Sequence, residues 1–294
     1  MKLQGIFPAL TTCFDESGEI HKEKLAVNIR KLNQIALAGY TVCGSTGESP
    51  LMSFNEKLDV LSCVAGLASN GKTLIAGVGQ ESVRETVRLV NMASEIGYHV
   101  GLALTPYYYK SQAQCPDTQK LYFRAIADES KLPILIYNMP RVTGYDVPVD
   151  VVAELSHHPN IIGMKDSSGN VEKLKETAGA VKAGFQILSG SGMTFCDALY
   201  AGAVGAILAI ANAVPYACVT VWEAFRMRQE EAARDWQQRL LSGAKLVPGV
   251  HGIPGLKHLM DIKGYYGGRP RLPLMPSPPE ARAEIERAFD GINS

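Results

Sequence analysis

The chain of 294 residues contains no CxxC pair. Its six cysteines, Cys13, Cys43, Cys63, Cys115, Cys196 and Cys218, are scattered without regular spacing. In a chain this long that argues against a disulfide framework or a zinc site, and for reduced, mostly buried thiols. Neither sign of charge is in excess: 29 Lys and Arg balance 29 Asp and Glu. Such a balance gives no reason to expect nucleic acid or an anionic membrane as a partner. Apolar runs of membrane-spanning length are missing as well. The opening MKLQGIFPAL passes almost directly into a strand-like run, without the features of a signal or transit peptide. Together these absences predict a soluble, cytoplasmic protein.

Two catalytic signatures are also lacking. After the first strand-like run comes PALTTCFDESG rather than GxGxxG, which excludes the dinucleotide fingerprint of an open doubly wound sheet. Ser191 is flanked as GSG and then Met, so there is no GxSxG elbow for a Ser-His-Asp hydrolase. The pair His157-His158 has no carboxylate or cysteine at ligand spacing and reads as a loop. The turn Ser189-Gly-Ser-Gly192 resembles a phosphate cradle but has no basic residue nearby.

What the sequence does hold is apolar residues at 46% and charged residues at only 20%, enough for a large core. Short apolar runs alternate with amphipathic segments. Strands are predicted at Gly5–Leu10, Gly39–Cys43, Thr73–Val78, Val100–Leu104, Pro133–Tyr137, Ile161–Lys165, Gln186–Ser189 and Val204–Ile207. Apolar spacings of three and four predict helices near 21–37, 54–68, 82–96, 117–130, 148–156, 170–181 and 193–201. Eight strands alternating with helices predict a parallel α/β fold, a (β/α)8 TIM barrel over residues 1–212. Residues 213–294 then form a C-terminal helical extension: a helix over 213–243, one near 255–263 and one near 279–290.

Active sites of such barrels form at the carboxyl ends of the strands. Strand 6 ends in IIGMKDSS, where a fully apolar run closes on Lys165. Burying an ammonium is costly unless it is paired or neutralised. Lys165 is therefore either turned outward, or paired with Asp166, or a desolvated amine whose lone pair attacks a carbonyl. Tyr137 ends the neighbouring strand; it is either a proton shuttle at the same point or an ordinary half-buried tyrosine. The turn GSTGE after strand 2 offers hydroxyls and free N–H groups to a carboxylate. Glu48 caps or braces that turn.

Four motifs in order, GSTGE, PYYYK, YNMPRVTG and GMKDSSG, resemble the N-acetylneuraminate lyase/dihydrodipicolinate synthase family. These are class I, Schiff-base, pyruvate-dependent aldolases on (β/α)8 barrels. The likeness covers almost the whole chain, including the closing GIPGLKHLMDIKGYYGGRPRLPL. It implies that Lys165 forms the imine and that Tyr137 relays protons. It further implies that Ser45, Thr46 and Gly47 hold the pyruvate carboxylate, with Ser45 or Thr46 also in the hydroxyl relay to Tyr137. Tyr108 matches a tyrosine lent across a subunit interface, and Ile207 a residue whose carbonyl lies near the bound pyruvate moiety. A homotetramer, built as a dimer of dimers, and no metal or organic cofactor are implied as well.

One departure bears on the substrate. The synthases carry an arginine two positions after the strand-5 proline; here Val142 stands there and Arg141 precedes it. HPNIIGMKDSSGN and the closing motif look most like 4-hydroxy-2-oxoglutarate aldolases, with 2-keto-3-deoxy-sugar-acid aldolases close behind. The expected activity is reversible cleavage of such a 2-oxo acid to pyruvate and an aldehyde, glyoxylate for the first. The alternatives are dihydrodipicolinate synthase, which condenses pyruvate with aspartate semialdehyde, and a 2-oxo-acid-binding sensor without catalysis.

Overall fold

The structure is a computed structural model that describes residues 1–292, so the last two residues of the expected extension lie outside it. In chain order the elements begin with β1 (Gly5–Pro8), α1 (Lys22–Asn33), β2 (Gly39–Val42), α2 (Phe54–Leu67), β3 (Thr73–Gly77) and α3 (Val83–Ile96). Then come β4 (Val100–Leu104), α4 (Lys110–Ala113), α5 (Pro116–Glu129), β5 (Ile134–Asn138), α6 (Pro140–Thr143) and α7 (Val149–Leu155). β6 (Ile161–Asp166), α8 (Val171–Ala180), β7 (Gln186–Ser189), α9 (Phe195–Tyr200) and β8 (Gly205–Leu208) complete the alternation. The C-terminal helices are α10 (Pro215–Arg226), α11 (Glu230–Ala244), α12 (Gly252–Ile262) and α13 (Pro279–Ala288). The strands hydrogen-bond in the order β1-β8-β7-β6-β5-β4-β3-β2, that of a (β/α)8 TIM barrel, as expected.

Two compact units make up the chain. The first holds residues 1–4 and 73–207, hence strands β3 to β7 and most of β8. Its strands pair in parallel and are almost wholly buried, because helices cover the outer face and packed side chains fill the inner one, which leaves little place for polar alternation. Between β5 and β6 the register shifts: Ile134 pairs with Ile161, but Leu135 pairs with Gly163. Ile162 is the extra residue of a β-bulge. Side chains alternate with period two, so this one residue decides which later side chains of β6 share a face with those of β5.

The second unit holds residues 5–72 and 208–294, joining β1, β2 and their helices with the C-terminal helices. β1 and β2 meet through a parallel bridge between Ala9 and Thr41. α2 starts at a capping box: Ser53 Oγ accepts from the Glu56 N–H, and the Glu56 carboxylate accepts from the Ser53 N–H at 2.7 Å. Such a cap contributes about 1 kcal/mol. The single helix expected over 213–243 is two helices, broken at Met227–Gln229. Arg228 there takes φ 58°, a left-handed turn that no Gly or Pro announces. Burial pushes the thiols of Cys13, Cys43 and Cys218 up to about 12, so they stay protonated and inert. Among the described residues, no helix is long and apolar enough to cross a membrane.

Candidate active site

Lys165 lies in β6, one residue before the end of the strand. The bulge at Ile162 brings it into register with Tyr137 of β5, so the two side chains share a face. Its Nζ stands 4.2 Å from the centre of the Tyr137 ring. Both are deeply buried, Lys165 to 5% exposure and Tyr137 to 4%. The outward-facing alternative for the lysine therefore fails. Pairing with Asp166 fails too, since the Asp166 carboxylate is held elsewhere. Its Oδ2 accepts from Asn138 Nδ2 at 2.9 Å, and its Oδ1 accepts from the backbone N–H and hydroxyl of Ser168. Among the described residues no carboxylate lies within 4.0 Å of the Lys165 ammonium.

Space around the lysine is set by Gly190, at the end of β7. A methyl group there would come within 1.9 Å of Ser167 Oγ and 3.0 Å of Lys165 Cε. The glycine N–H also donates to the Asp166 carbonyl at 2.6 Å, tying the strand ends together. Next to it, the hydroxyl of Ser189 and the backbone of Ser191 bond to one another. Asn138, fully buried, braces the same edge: Nδ2 donates to Asp146 at 2.6 Å as well as to Asp166, and Oδ1 accepts from the Val147 N–H. Lys173 of α8 pairs with Asp146 in turn. Asn138 was hidden in the sequence, where YNMP drew attention to the tyrosine alone.

The other expected site residues of this unit lie on β8, on the β4–α4 loop and on α6. Ile207 is buried in β8. The β4–α4 loop leaves Tyr108 75% exposed and Tyr109 71% exposed, their rings edge-to-face at 5.1 Å. The Glu81 carboxylate accepts the backbone N–H groups of Tyr107 and Tyr108. Arg141 and Val142 sit on α6, both exposed, Val142 to 48%.

In the second unit the GSTGE motif folds as a single 3-10 turn at Ser45–Gly47. Thr46 and Gly47 are buried and Ser45 is half-buried. Gly47 is pressed close: a Cβ would meet the Leu10 carbonyl at 3.0 Å, and its own carbonyl accepts from Thr12 Oγ1 at 2.6 Å. Glu48 does brace the turn. Its carboxylate is buried in an ion pair with Lys257 of α12, at 2.6 Å, and accepts the N–H of Arg271 at 2.8 Å. Burial holds the Lys257 ammonium below its ordinary range, opposed by the Glu48 charge. Neither Lys257 nor Arg271 was found from the sequence, where they appeared only as part of a closing motif.

The dihydrodipicolinate synthetase family model matches residues 2–291. The chain belongs to this family. Its members are carbon–carbon lyases of the class I aldolase type. Among curated relatives, the 4-hydroxy-tetrahydrodipicolinate synthase of Exiguobacterium sp. is 31% identical over 293 residues, with 98% of each chain covered. The enzyme of that name from Archaeoglobus fulgidus is 30% identical, again with 98% of each covered. Among solved structures, the dihydrodipicolinate synthase DapA-2 of Bacillus anthracis superposes with a TM-score of 0.94 at 26% identity, with 100% of both chains covered. YagE, a prophage protein of this family from E. coli K12 crystallised with pyruvate, gives 0.92 at 25% identity with 98% of each covered. These names correct one expectation. The curated relatives named here are synthases, the activity expected as an alternative, and they lend no support to a closer likeness to 4-hydroxy-2-oxoglutarate aldolases.

Proposed function

We propose that Lys165 is the imine-forming amine of a pyruvate-dependent enzyme that makes or breaks a carbon–carbon bond to an aldehyde. The observation that carries this reading is an amine 5% exposed, in register with a buried tyrosine and free of any carboxylate partner among the described residues. Its lone pair adds to the carbonyl carbon of a 2-oxo acid, and loss of water gives the imine. The protonated imine draws electrons from the neighbouring carbon. Loss of a proton there leaves an enamine that adds to an aldehyde; in the reverse direction the C–C bond breaks to the same enamine. Tyr137 is the group that moves protons during these steps, typically a contribution of 10²- to 10⁴-fold.

The remaining roles rest on family likeness. Ser45, Thr46 and Gly47 hold the carboxylate, with Ser45 or Thr46 also in the hydroxyl relay to Tyr137, and the Ile207 carbonyl lies near the pyruvate moiety. Tyr108 is the residue lent to a neighbouring subunit in a homotetramer. Two adjacent exposed rings on one loop suit that role, since aromatic residues are enriched at interfaces. Light scattering at micromolar concentration tests the assembly.

The relatives' names favour pyruvate condensation with aspartate semialdehyde, with Arg141 as the nearest basic residue to the place where the synthases carry their arginine. Cleavage of 4-hydroxy-2-oxoglutarate is the second reading, favoured by Val142 at that place. Borohydride reduction with pyruvate, followed by peptide mapping, tests the lysine: an adduct on any residue but Lys165 refutes the assignment. A turnover panel of aspartate semialdehyde, 4-hydroxy-2-oxoglutarate and 2-keto-3-deoxygluconate decides the aldehyde.

A further inference from the structure

The turn Gly44–Gly47 is bounded by two residues other than glycine in the left-handed region, Cys43 at φ 58° and Glu48 at φ 57°. Side chains with a Cβ rarely adopt that conformation, and it persists where the surroundings over-determine it. At Glu48 the surroundings are explicit. The carboxylate is fully buried, 2.6 Å from a Lys257 ammonium that is itself 1% exposed. Its other oxygen takes the Arg271 N–H. Lys257 is fixed in turn, donating to the Arg269 carbonyl at 2.8 Å and standing 4.8 Å over the Phe14 ring. The Arg271 guanidinium grips the chain just beyond the turn, donating to the Leu51 carbonyl at 2.9 Å.

Stability alone is a poor account of this ion pair. Desolvating two charges offsets most of their attraction, and an apolar pair of similar volume commonly serves as well. What an apolar pair cannot do is aim. The Glu48 carboxylate is fixed at both oxygens, one by the Arg271 N–H and the other by the Lys257 charge, and the two together hold the backbone of Glu48 in its strained conformation at the exit of the turn.

We propose that Lys257, acting through Glu48, is a positioning residue that sets the Gly44–Gly47 turn in the shape that receives the carboxylate of the 2-oxo acid. This rests on the reading of that turn as the carboxylate site. Neither residue of the pair has a part in the chemistry of the imine. Loss of the pair therefore weakens binding of the 2-oxo acid and leaves the chemistry at saturation in place.

The test reads the borohydride-trapped adduct on Lys165 as a function of pyruvate concentration in the full chain. Lys257→Met alone strands a buried carboxylate and endangers folding, so the double variant Glu48→Gln/Lys257→Met, of similar volume and without either charge, is measured beside it. The expected result is a folded double variant whose half-saturating pyruvate rises tenfold or more, with the trapping rate at saturation within threefold of the parent. A half-saturating concentration within threefold of the parent overturns the proposal. The variant Ser45→Ala/Thr46→Val separates this from the underlying reading. If it raises half-saturation and the charge-free pair does not, the clamp fails and the turn stands. If neither variant raises it, the turn is not the carboxylate site and both ideas fall.

Discussion

Replacing Gly190 by alanine gives the sharpest test of how tightly Lys165 is seated. The added methyl would lie 1.9 Å from Ser167 Oγ, which must rotate away entirely. It would lie 3.0 Å from Lys165 Cε, a few tenths of an ångström inside ordinary contact. The lysine is flexible, so it yields: Cε retreats by about 0.4 Å, and Nζ, one bond further on, leaves its 4.2 Å seat over the Tyr137 ring by at least as much. Reacting groups need placement within about 0.5 Å, and an error of about 1 Å can lower a rate about 100-fold. A displacement of this size predicts roughly a tenfold slower trapping of pyruvate on Lys165. Thermal stability falls by only about 1–2 kcal/mol, because both crowded groups are side chains able to move. The assay is the rate of adduct formation by intact mass, with a melting curve on the same sample. A folded Gly190→Ala protein that traps pyruvate within twofold of the parent rate refutes the reasoning.

Other expectations follow from neighbouring contacts. Gly163→Ala meets the backbone carbonyl of Gln186 at 2.1 Å, and backbone cannot rotate aside. This variant should lose about 3 kcal/mol or more in denaturant titration and melt well below Gly190→Ala. Tyr137→Phe keeps the ring beneath the ammonium but removes the hydroxyl, so turnover should fall 10²- to 10⁴-fold while the melting temperature changes little; full turnover would exclude a proton-transfer role. The Arg271 guanidinium holds the Glu56 carboxyl down at about 2, below its ordinary 4.5. A depressed carboxyl adds stability that is complete above pH 4.5 and is lost as the pH falls toward 2. Glu56→Gln should therefore flatten that limb of the melting temperature against pH, and an unchanged acid limb would contradict the contact.

The strands were legible to within a residue or two, and β4 and β7 to the residue, because continuous apolar runs between helices leave little choice. The end of β6 was placed one residue early. Asp166 looks like the start of a loop, but Asn138 and Ser168 satisfy its carboxylate inside the fold. The register that aligns Lys165 with Tyr137 was not legible, since a bulge at Ile162 leaves no mark in an apolar run. Nor was the partner of Glu48. Local spacing says nothing about a contact closed by a helix near the other end of the chain, and the break at Arg228 likewise carried no Gly or Pro signal.

The ion pair between α12 and the turn after β2 also bears on how the chain can be cut. A fragment ending after β8 keeps all eight strands and looks like a complete barrel in sequence. It would nonetheless lose both Lys257 and Arg271, the residues that fix the two oxygens of the Glu48 carboxylate. A piece that keeps the turn after β2 in its present contacts therefore runs at least through Arg271, and permuted versions that open the chain between β8 and α12 must bring both ends back to the same turn.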